Sequence, residues 1–493
     1  MRKLFILLLA VIIAAPSFAQ KVRKLQQDST IVTTGEVTVK GKRFPYMVTT
    51  GTQPVWDEDG KAIAALEFTY YERTDVTNRA TRPLVISFNG GPGSASVWMH
   101  IAYTGPRILE IDNEGYPVMP YGIRENPNTI LDVADIVYVN PVNTGYSRIL
   151  VKDTPKEKFF GVTADIKYLA EWLTNFVTRK NKWTAPKYLI GESYGTTRVA
   201  GLALELQNAH WMYLNGVVLL SPTDLGIERG GPVDAALNLP YFAAAAWYHK
   251  MLPADLQQKD LTDMLPEVEQ FTLNELIPGL AQGGFISEAK RKELAAKMAR
   301  YSGMSEKVIL QHNLDVPAQF FWKELLREKG GYTIGRLDSR YKGIDMKEAG
   351  VQPDYAAELT SWLHSFTPAI NYYLREVLKY KTDIKYNMFG PVNPWDRSND
   401  NTGRNLRLAM AENPYLHVMF QCGYYDGATQ YFNAKYTMWN IDPSGKMKDR
   451  FSFKGYRSGH MMYLRAEDLV TANEDFREFI LRTIPKKGQP AKY

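Results

Sequence analysis

The sequence is almost free of cysteine, since Cys422 is the single one among 493 residues. An intramolecular disulfide is therefore excluded, and so is a metal site made of cysteine thiolates. Histidines spaced as His-x-x-x-His are absent too, and we predict neither a bound metal nor a cofactor. Without a disulfide the fold must be stabilised by its core, and 45% of the residues are hydrophobic.

An excess of charge is also lacking. The formal net charge is only +6, and no predicted face carries a cluster of lysine and arginine. We therefore expect no nucleic-acid partner. The composition gives no indication of the oligomeric state.

Long hydrophobic runs are missing, apart from one short run near the start. The run from Leu4 to Ala15 follows Arg2 and Lys3 and is too short to span a bilayer. Small residues at and before Ala19 complete the pattern of a cleavable signal peptide over residues 1–19. We expect a secreted or periplasmic protein without a transmembrane segment.

Short apolar runs predict the strands of a parallel sheet. Runs that are apolar on both faces are typical of strands covered by helices on both sides. Two earlier segments, residues 31–40 and 62–71, alternate in polarity and predict antiparallel strands at one edge of this sheet. The apolar runs occupy residues 84–88, 136–139, 188–190 and 217–220, with a helical pattern over 164–179.

Helical patterns replace strand patterns between residues 231 and 384. We predict an α/β protein whose core comprises residues 20–230 and 385–493, with residues 231–384 as a helical cap insertion over the end of the sheet. Helices are predicted within this cap at 235–249, 286–300, 317–329 and 355–378. Strand patterns return at 416–420 and 450–453, and a last helix is predicted over 466–483.

One strand runs directly into the motif G-x-S-x-G, formed by residues 191–195, and a helical pattern follows. A serine in such a strand–turn–helix is held in a strained conformation with its hydroxyl projecting from the sheet edge, as in α/β-hydrolases. Ser193 is therefore the predicted nucleophile. The alternative is an ordinary glycine turn that contains a serine.

A serine nucleophile needs a positioned base and an acid, which follow it in the order acid, then histidine, in this fold. Of seven histidines, only His417 and His460 lie in the C-terminal sheet region, and only His460 lies in a loop after a strand. Asp426 follows the preceding strand and is the predicted acid. Asp442 and Asp449 are rival acids, which lie in polar turns. The alternative roles are an Asx turn for Asp426 and a solvated loop histidine for His460.

A tetrahedral intermediate also needs hydrogen-bond donors for its oxygen. The backbone N–H of Tyr194 directly follows the nucleophile and is one predicted donor. A second donor is expected from the glycine-rich loop at residues 89–93, which follows an earlier strand. The alternative is that this loop needs its glycines only for the turn.

Four ordered blocks resemble the serine carboxypeptidase family (peptidase family S10), in its bacterial secreted form. They are N-G-G-P-G at residues 89–93, N-P-V-N-T-G-Y-S at 140–147, G-E-S-Y-G at 191–195 and G-H-M at 459–461. The resemblance implies a protease of the α/β-hydrolase fold acting on peptides. It implies a catalytic triad of Ser193, Asp426 and His460, an oxyanion hole from the backbone of Gly91 and Tyr194, and a site for the substrate carboxylate made by Asn89, Gly90 and Glu192.

Two positions depart from the family pattern. Tyr103 stands where better-known members carry a glutamate that helps to bind the substrate carboxylate, and Ser94 replaces a disulfide-forming cysteine. The first hypothesis is a secreted serine carboxypeptidase that works through an acyl-enzyme. The alternatives are an esterase or acyltransferase on the same scaffold, or a non-catalytic binding module.

Overall fold

A mixed sheet of ten strands forms the centre of the molecule. The computed structural model describes residues 24–486, 488–490 and 492, so the predicted signal peptide lies outside the described residues. The strands are β1 (Ser29–Val39), β2 (Lys42–Trp56), β3 (Ala62–Arg73), β4 (Leu84–Phe88), β5 (Arg107–Leu109), β6 (Ile123–Glu125), β7 (Asp135–Val139), β8 (Arg148–Ile149), β9 (Lys187–Glu192), β10 (Gly216–Leu220), β11 (Tyr332–Ile334), β12 (Lys342–Ile344), β13 (His417–Gly423) and β14 (Phe451–Tyr456).

The large sheet has the order β1-β2-β3-β7-β4-β9-β10-β13-β14, with β8 beside β3. Every pairing from β7 to β14 is parallel, whereas β1, β2, β3 and β8 pair antiparallel. The prediction of a mostly parallel sheet with antiparallel strands at one edge is thus confirmed. The carboxyl ends of β4, β9, β13 and β14 meet at one edge, where the predicted site residues follow them.

The helices lie on both faces of this sheet and in the segment between β10 and β13. They are α1 (Val97–His100), α2 (Val162–Arg179), α3 (Tyr194–His210), α4 (Pro232–Ala236), α5 (Leu239–Tyr248), α6 (Ala254–Gln257), α7 (Leu261–Phe271), α8 (Ile277–Leu280), α9 (Glu288–Ser302), α10 (Glu306–Gln311), α11 (Ala318–Glu324), α12 (Ala357–Tyr372), α13 (Thr402–Glu412), α14 (Tyr431–Ile441) and α15 (Ala466–Thr483). Over the part of the chain that the structure describes, no helix is long and apolar enough to cross a membrane.

Two hydrophobic cores sandwich the sheet, because successive side chains of a strand point to opposite faces. In β4, Ile86 and Phe88 pack with α2 and α3, while Val85 packs with α15 on the other face. Cys422 of β13 is also buried in the first core as a free thiol. Strands that are buried on both faces explain the continuous apolar runs of the sequence.

The longest strand, β2, is absent from the sequence prediction. It has 15 residues, lies between β1 and β3, and pairs with both along most of its length. Pro45 and Pro54 argue against a strand in the sequence, because proline lacks the N–H donor that a strand between two neighbours normally needs. The strand forms nevertheless, because its other residues pair on both sides and its second half is buried.

The segment between β10 and β13 is mainly helical, as expected, but it also contains the antiparallel hairpin β11–β12. Each of its strands has only three residues, too few to show an alternating pattern in the sequence. The hairpin loop, residues 335–341, reaches the carboxyl edge of the large sheet. There Gly427 donates its N–H to the Arg336 carbonyl at 2.9 Å.

A buried ion cluster fastens β7 to its surroundings. Asp135, fully buried at the start of β7, accepts hydrogen bonds from Arg82 Nε at 2.9 Å and Lys182 Nζ at 2.7 Å. The backbone N–H of Arg73 donates to the same carboxylate at 3.1 Å. These donors come from β3 and two separate loops, so one carboxylate joins three segments.

We expect Asp135→Ala to lower the free energy of unfolding by about 3–5 kcal/mol, because it leaves a buried lysine without its counter-ion. Urea denaturation monitored by circular dichroism measures this loss. Asp75→Ala is the matched control, because Asp75 pairs with Arg73 at the surface, and such pairs contribute at most about 1 kcal/mol. Equal losses for the two variants would contradict the importance assigned to the cluster.

Candidate active site

Ser193 occupies a sharp turn between β9 and α3. Its backbone has φ 57° and ψ −129°, a strained conformation for a residue with a side chain. The turn closes because glycines flank it. A Cβ on Gly191 would lie 2.2 Å from the Gly195 carbonyl oxygen, and a Cβ on Gly195 would lie 2.6 Å from the Phe88 carbonyl oxygen. The G-x-S-x-G motif therefore forms the strand–turn–helix that the sequence predicts.

Asp426 and His460 are in direct contact, although they are far apart in the sequence. Asp426 follows β13, His460 follows β14, and the Oδ2–Nδ1 distance is 2.6 Å. Both side chains are buried. Burial by itself would lower the pKa of His460, but the charge of Asp426 and this hydrogen bond raise it above its ordinary value.

Asp426 also forms the Asx turn that was its alternative role. Its Oδ1 accepts hydrogen bonds from the N–H groups of Ala428 and Thr429, at 2.8 and 3.1 Å. The Thr429 hydroxyl donates to Oδ2 at 2.7 Å and lies 3.2 Å from Nδ1 of His460. The turn thus fixes the carboxylate that contacts the imidazole. Nothing in the sequence pattern singled out Thr429.

A cavity of about 210 Å³ opens at the carboxyl edge of the sheet and contains Ser193 and His460 in its wall. The remaining lining residues are Gly90, Gly91, Ser94, Trp98, Glu192, Arg336, Leu337, Leu359, Trp362, Phe389 and Met461. Five of the predicted site residues therefore face one space: Ser193, His460, Gly90, Gly91 and Glu192. Larger grooves, of about 700 and 600 Å³, lie elsewhere and contain none of these five residues.

Three further predicted residues stand behind this wall. Asp426 lies behind His460, and Asn89 is fully buried behind Glu192. The side chain of Tyr194 turns away, and its hydroxyl accepts a hydrogen bond from Trp395 at 2.9 Å. The backbone nitrogen of Tyr194 lies close to the glycine-rich loop, because a Cβ on Gly90 would be 2.4 Å from it.

Glu192 is a buried acid held by two neutral donors. Asn89 Nδ2 donates to Oε1 at 2.8 Å and the Tyr463 hydroxyl donates to Oε2 at 2.5 Å. Burial raises the pKa of Glu192 to about 7, against the charge of His460 and these two hydrogen bonds, which lower it. The carboxyl group can therefore exist in both protonation states near neutral pH.

Tyr103, the departure from the family pattern, supports this acid indirectly. Its ring stacks on Tyr463 with centroids 4.9 Å apart, and its hydroxyl donates to Gln421 Oε1 at 2.9 Å. Tyr463 was not predicted as a site residue. It lies three positions after His460 in the sequence, a spacing that carried no recognisable signal without the contact to Glu192.

A family model described as serine carboxypeptidase matches residues 57–313, just over half of the chain. The chain belongs to the serine carboxypeptidase family. Serine carboxypeptidase-like 16 of Arabidopsis thaliana is 29% identical over 205 residues, which cover 39% of this chain and 44% of that protein. The retinoid-inducible serine carboxypeptidase of Rattus norvegicus is 32% identical over 194 residues, 37% of this chain and 38% of that protein. The chain thus spans about two fifths of the length of these curated relatives.

One solved structure of similar fold matches this chain over most of its length. Kex1Δp, a prohormone-processing carboxypeptidase from Saccharomyces cerevisiae, matches with a TM-score of 0.50 over 90% of this chain and 93% of its own. At 15% identity this likeness concerns the fold, and it confirms the predicted α/β-hydrolase architecture.

The Asp426–His460 contact can be tested without measuring activity. We expect Asp426→Asn to bring the pKa of His460 below its ordinary value, because burial stays and the compensating charge is lost. A pH titration followed by NMR of the imidazole protons measures this change. Asp449→Asn, which removes an exposed rival acid, is the control and should leave the titration as it is. A pKa of His460 that stays raised in Asp426→Asn would contradict the assignment.

Proposed function

We propose that this chain is a serine carboxypeptidase that hydrolyses the last peptide bond of substrates with a free C-terminus. The observation that carries the proposal is the meeting of a strained serine and a buried Asp–His pair at one cavity, reached from three different strands. Membership of the family supports the same activity.

In the proposed reaction, Ser193 Oγ attacks the carbonyl carbon of the last peptide bond while His460 Nε2 accepts its proton. Asp426 accepts the Nδ1–H of the imidazole, which leaves Nε2 free as the base and stabilises the imidazolium. The backbone N–H groups of Gly91 and Tyr194 donate to the oxyanion. The C–N bond then breaks, and His460 returns the proton to the departing amine. A water molecule, deprotonated by His460, hydrolyses the acyl-enzyme and restores the serine.

The C-terminal carboxylate of the substrate would lie against Gly90 and Glu192, with Asn89 behind them. Two ionised carboxylates repel each other, whereas a protonated Glu192 can donate a hydrogen bond to the substrate. Since the pKa of Glu192 is raised to about 7, such binding is favoured at mildly acidic pH. The family glutamate that would assist in this site is absent, because Tyr103 stands at its position. In this chain the hydrogen bond from the Tyr463 hydroxyl orients Glu192 instead.

Export of the protein is a second part of the proposal. It rests on the apolar run and the small residues over positions 1–19, which favour a secreted or periplasmic location. Peptides are then the expected partners, met outside the cytoplasm.

We expect Ser193→Ala to lower kcat/KM on N-blocked dipeptides by about 10⁴-fold or more, because the substitution removes the hydroxyl that attacks the carbonyl carbon. Release of the last residue is measured by mass spectrometry, and circular dichroism confirms that the variant is folded. Ser398→Ala, which changes an exposed serine, is the control. Retained activity in Ser193→Ala would exclude this residue as the nucleophile.

The pH profile tests the role of Glu192. As the pH rises through about 7, Glu192 ionises, repels the substrate carboxylate and lowers kcat/KM. Glu192→Gln cannot ionise, so we expect this decline on the alkaline side to disappear. Glu67→Gln is the matched control, because burial raises the pKa of Glu67 to about 7 as well and it does not line the cavity. An unchanged alkaline decline in Glu192→Gln would refute the assigned role.

A further inference from the structure

Arg336 brings a positive charge to the cavity that contains Ser193. Among the described residues that line this cavity it is the only lysine or arginine. Arg336 is an exposed residue, and its side chain forms no ion pair within the described part of the chain. The next arginine along the chain, Arg340, is instead buried against Asp338 with an Nη2–Oδ2 distance of 2.7 Å.

The backbone around Arg336 is held on both sides. Gly427 donates its N–H to the Arg336 carbonyl at 2.9 Å, and His460 donates its N–H to the Leu337 carbonyl at 2.6 Å. The Leu337 N–H donates to Glu358 Oε1 at 2.7 Å. The hairpin loop is therefore fastened to the two loops that carry Asp426 and His460. The backbone of Arg336 is thus held beside the reacting groups, while its side chain forms no hydrogen bond or ion pair with another described residue.

Two acids, Glu192 in the cavity wall and Glu358 beside the hairpin loop, form no ion pair with Arg336 within the described residues. Both oxygens of Glu192 accept hydrogen bonds, from Asn89 and Tyr463. Glu358 accepts at Oε1 from the backbone of the hairpin loop, whereas its buried Oε2 has no hydrogen-bond partner among the described residues, and burial raises the pKa of Glu358 to about 7. Hydrophobic side chains, among them Trp98 and Trp362, form a large part of the surrounding wall. A guanidinium offers a planar fork that fits a carboxylate with two parallel hydrogen bonds, and an apolar wall strengthens such a pair.

We propose that Arg336 binds a carboxylate of the peptide substrate and thereby determines which substrates are preferred. The proposal rests on the proposed carboxypeptidase function and adds the class of substrate to it. The carboxylate can come from the free C-terminus or from an acidic side chain in one of the last two residues. In either case the preferred peptides carry negative charge next to the bond that is cleaved.

The experiment compares peptides that differ in a single group. N-blocked dipeptides are prepared with a free or an amidated C-terminus, and with glutamate or glutamine at either position. We measure kcat/KM for each with the unchanged protein and with Arg336→Gln. Calorimetry gives the Kd of the same peptides with Ser193→Ala, alone and combined with Arg336→Gln. For the peptide that carries the recognised carboxylate, we expect Arg336→Gln to lower kcat/KM and raise Kd by about 10- to 100-fold. For its neutral counterpart we expect much smaller changes.

Two variants separate loss of charge from loss of structure. Arg336→Lys keeps the positive charge and should restore part of the preference. Arg404→Gln removes another exposed arginine, one that lies on α13 and does not line the cavity, and it should leave every preference intact. Thermal unfolding of each variant verifies that the fold is kept.

The pattern of losses decides between the sources of the carboxylate. A reduced preference for acid over amide assigns Arg336 to the C-terminal carboxylate, and a reduced preference for glutamate over glutamine assigns it to a side chain. Identical preferences and Kd values with and without Arg336 would overturn the inference while the carboxypeptidase function stands. If the unchanged protein cleaves none of the peptides, the proposed function is wrong, and the Kd values still decide the role of Arg336.

Discussion

The site depends on one constraint: its backbone segments approach each other so closely that only glycine fits at the points of contact. Ser193 can occupy its strained turn only because Gly191 and Gly195 leave room for the strand and the helix to meet. The same condition applies to Gly90, whose loop lies against the backbone nitrogen of Tyr194. The parallel order of the strands brings these loops to one edge, and the glycines let them touch.

Burial shifts the pKa values of His460 and Glu192, which both face the cavity, in opposite directions: it lowers that of the imidazole and raises that of the carboxyl group. It favours the neutral form of both His460 and Glu192, but Asp426 restores the tendency of the imidazole to be charged. Among the described residues, the donors to Glu192 are the neutral groups of Asn89 and Tyr463, and burial keeps its pKa raised. One wall thus contains an imidazole that is paired with a carboxylate and a carboxyl group that forms no ion pair with another described residue. The proposed roles of the two groups, proton transfer by His460 and binding of a carboxylate by Glu192, require this difference of environment.

The sequence predicted the features that leave a local pattern. The apolar runs of the parallel strands, the helix that became α15, and the strand–turn–helix around Ser193 depend on neighbouring residues. Contacts between distant segments left no such pattern. The hydroxyls of Thr429 and Tyr463 gain their roles only when the last loops pack together. The placement of Arg336 depends in the same way on how a short hairpin between β10 and β13 packs against those loops. Strand β2 was missed for another reason, since pairing on both sides overrode the unfavourable prolines.

The buried thiol of Cys422 has a consequence for how this protein can be made. It lies in β13 with no exposed surface, and burial raises its pKa well above the usual range, so it is kept as an unreactive thiol. Maturation of the chain therefore requires no oxidase or disulfide isomerase. Within the described residues no disulfide contributes to the fold, so a reducing environment removes no covalent bond from it.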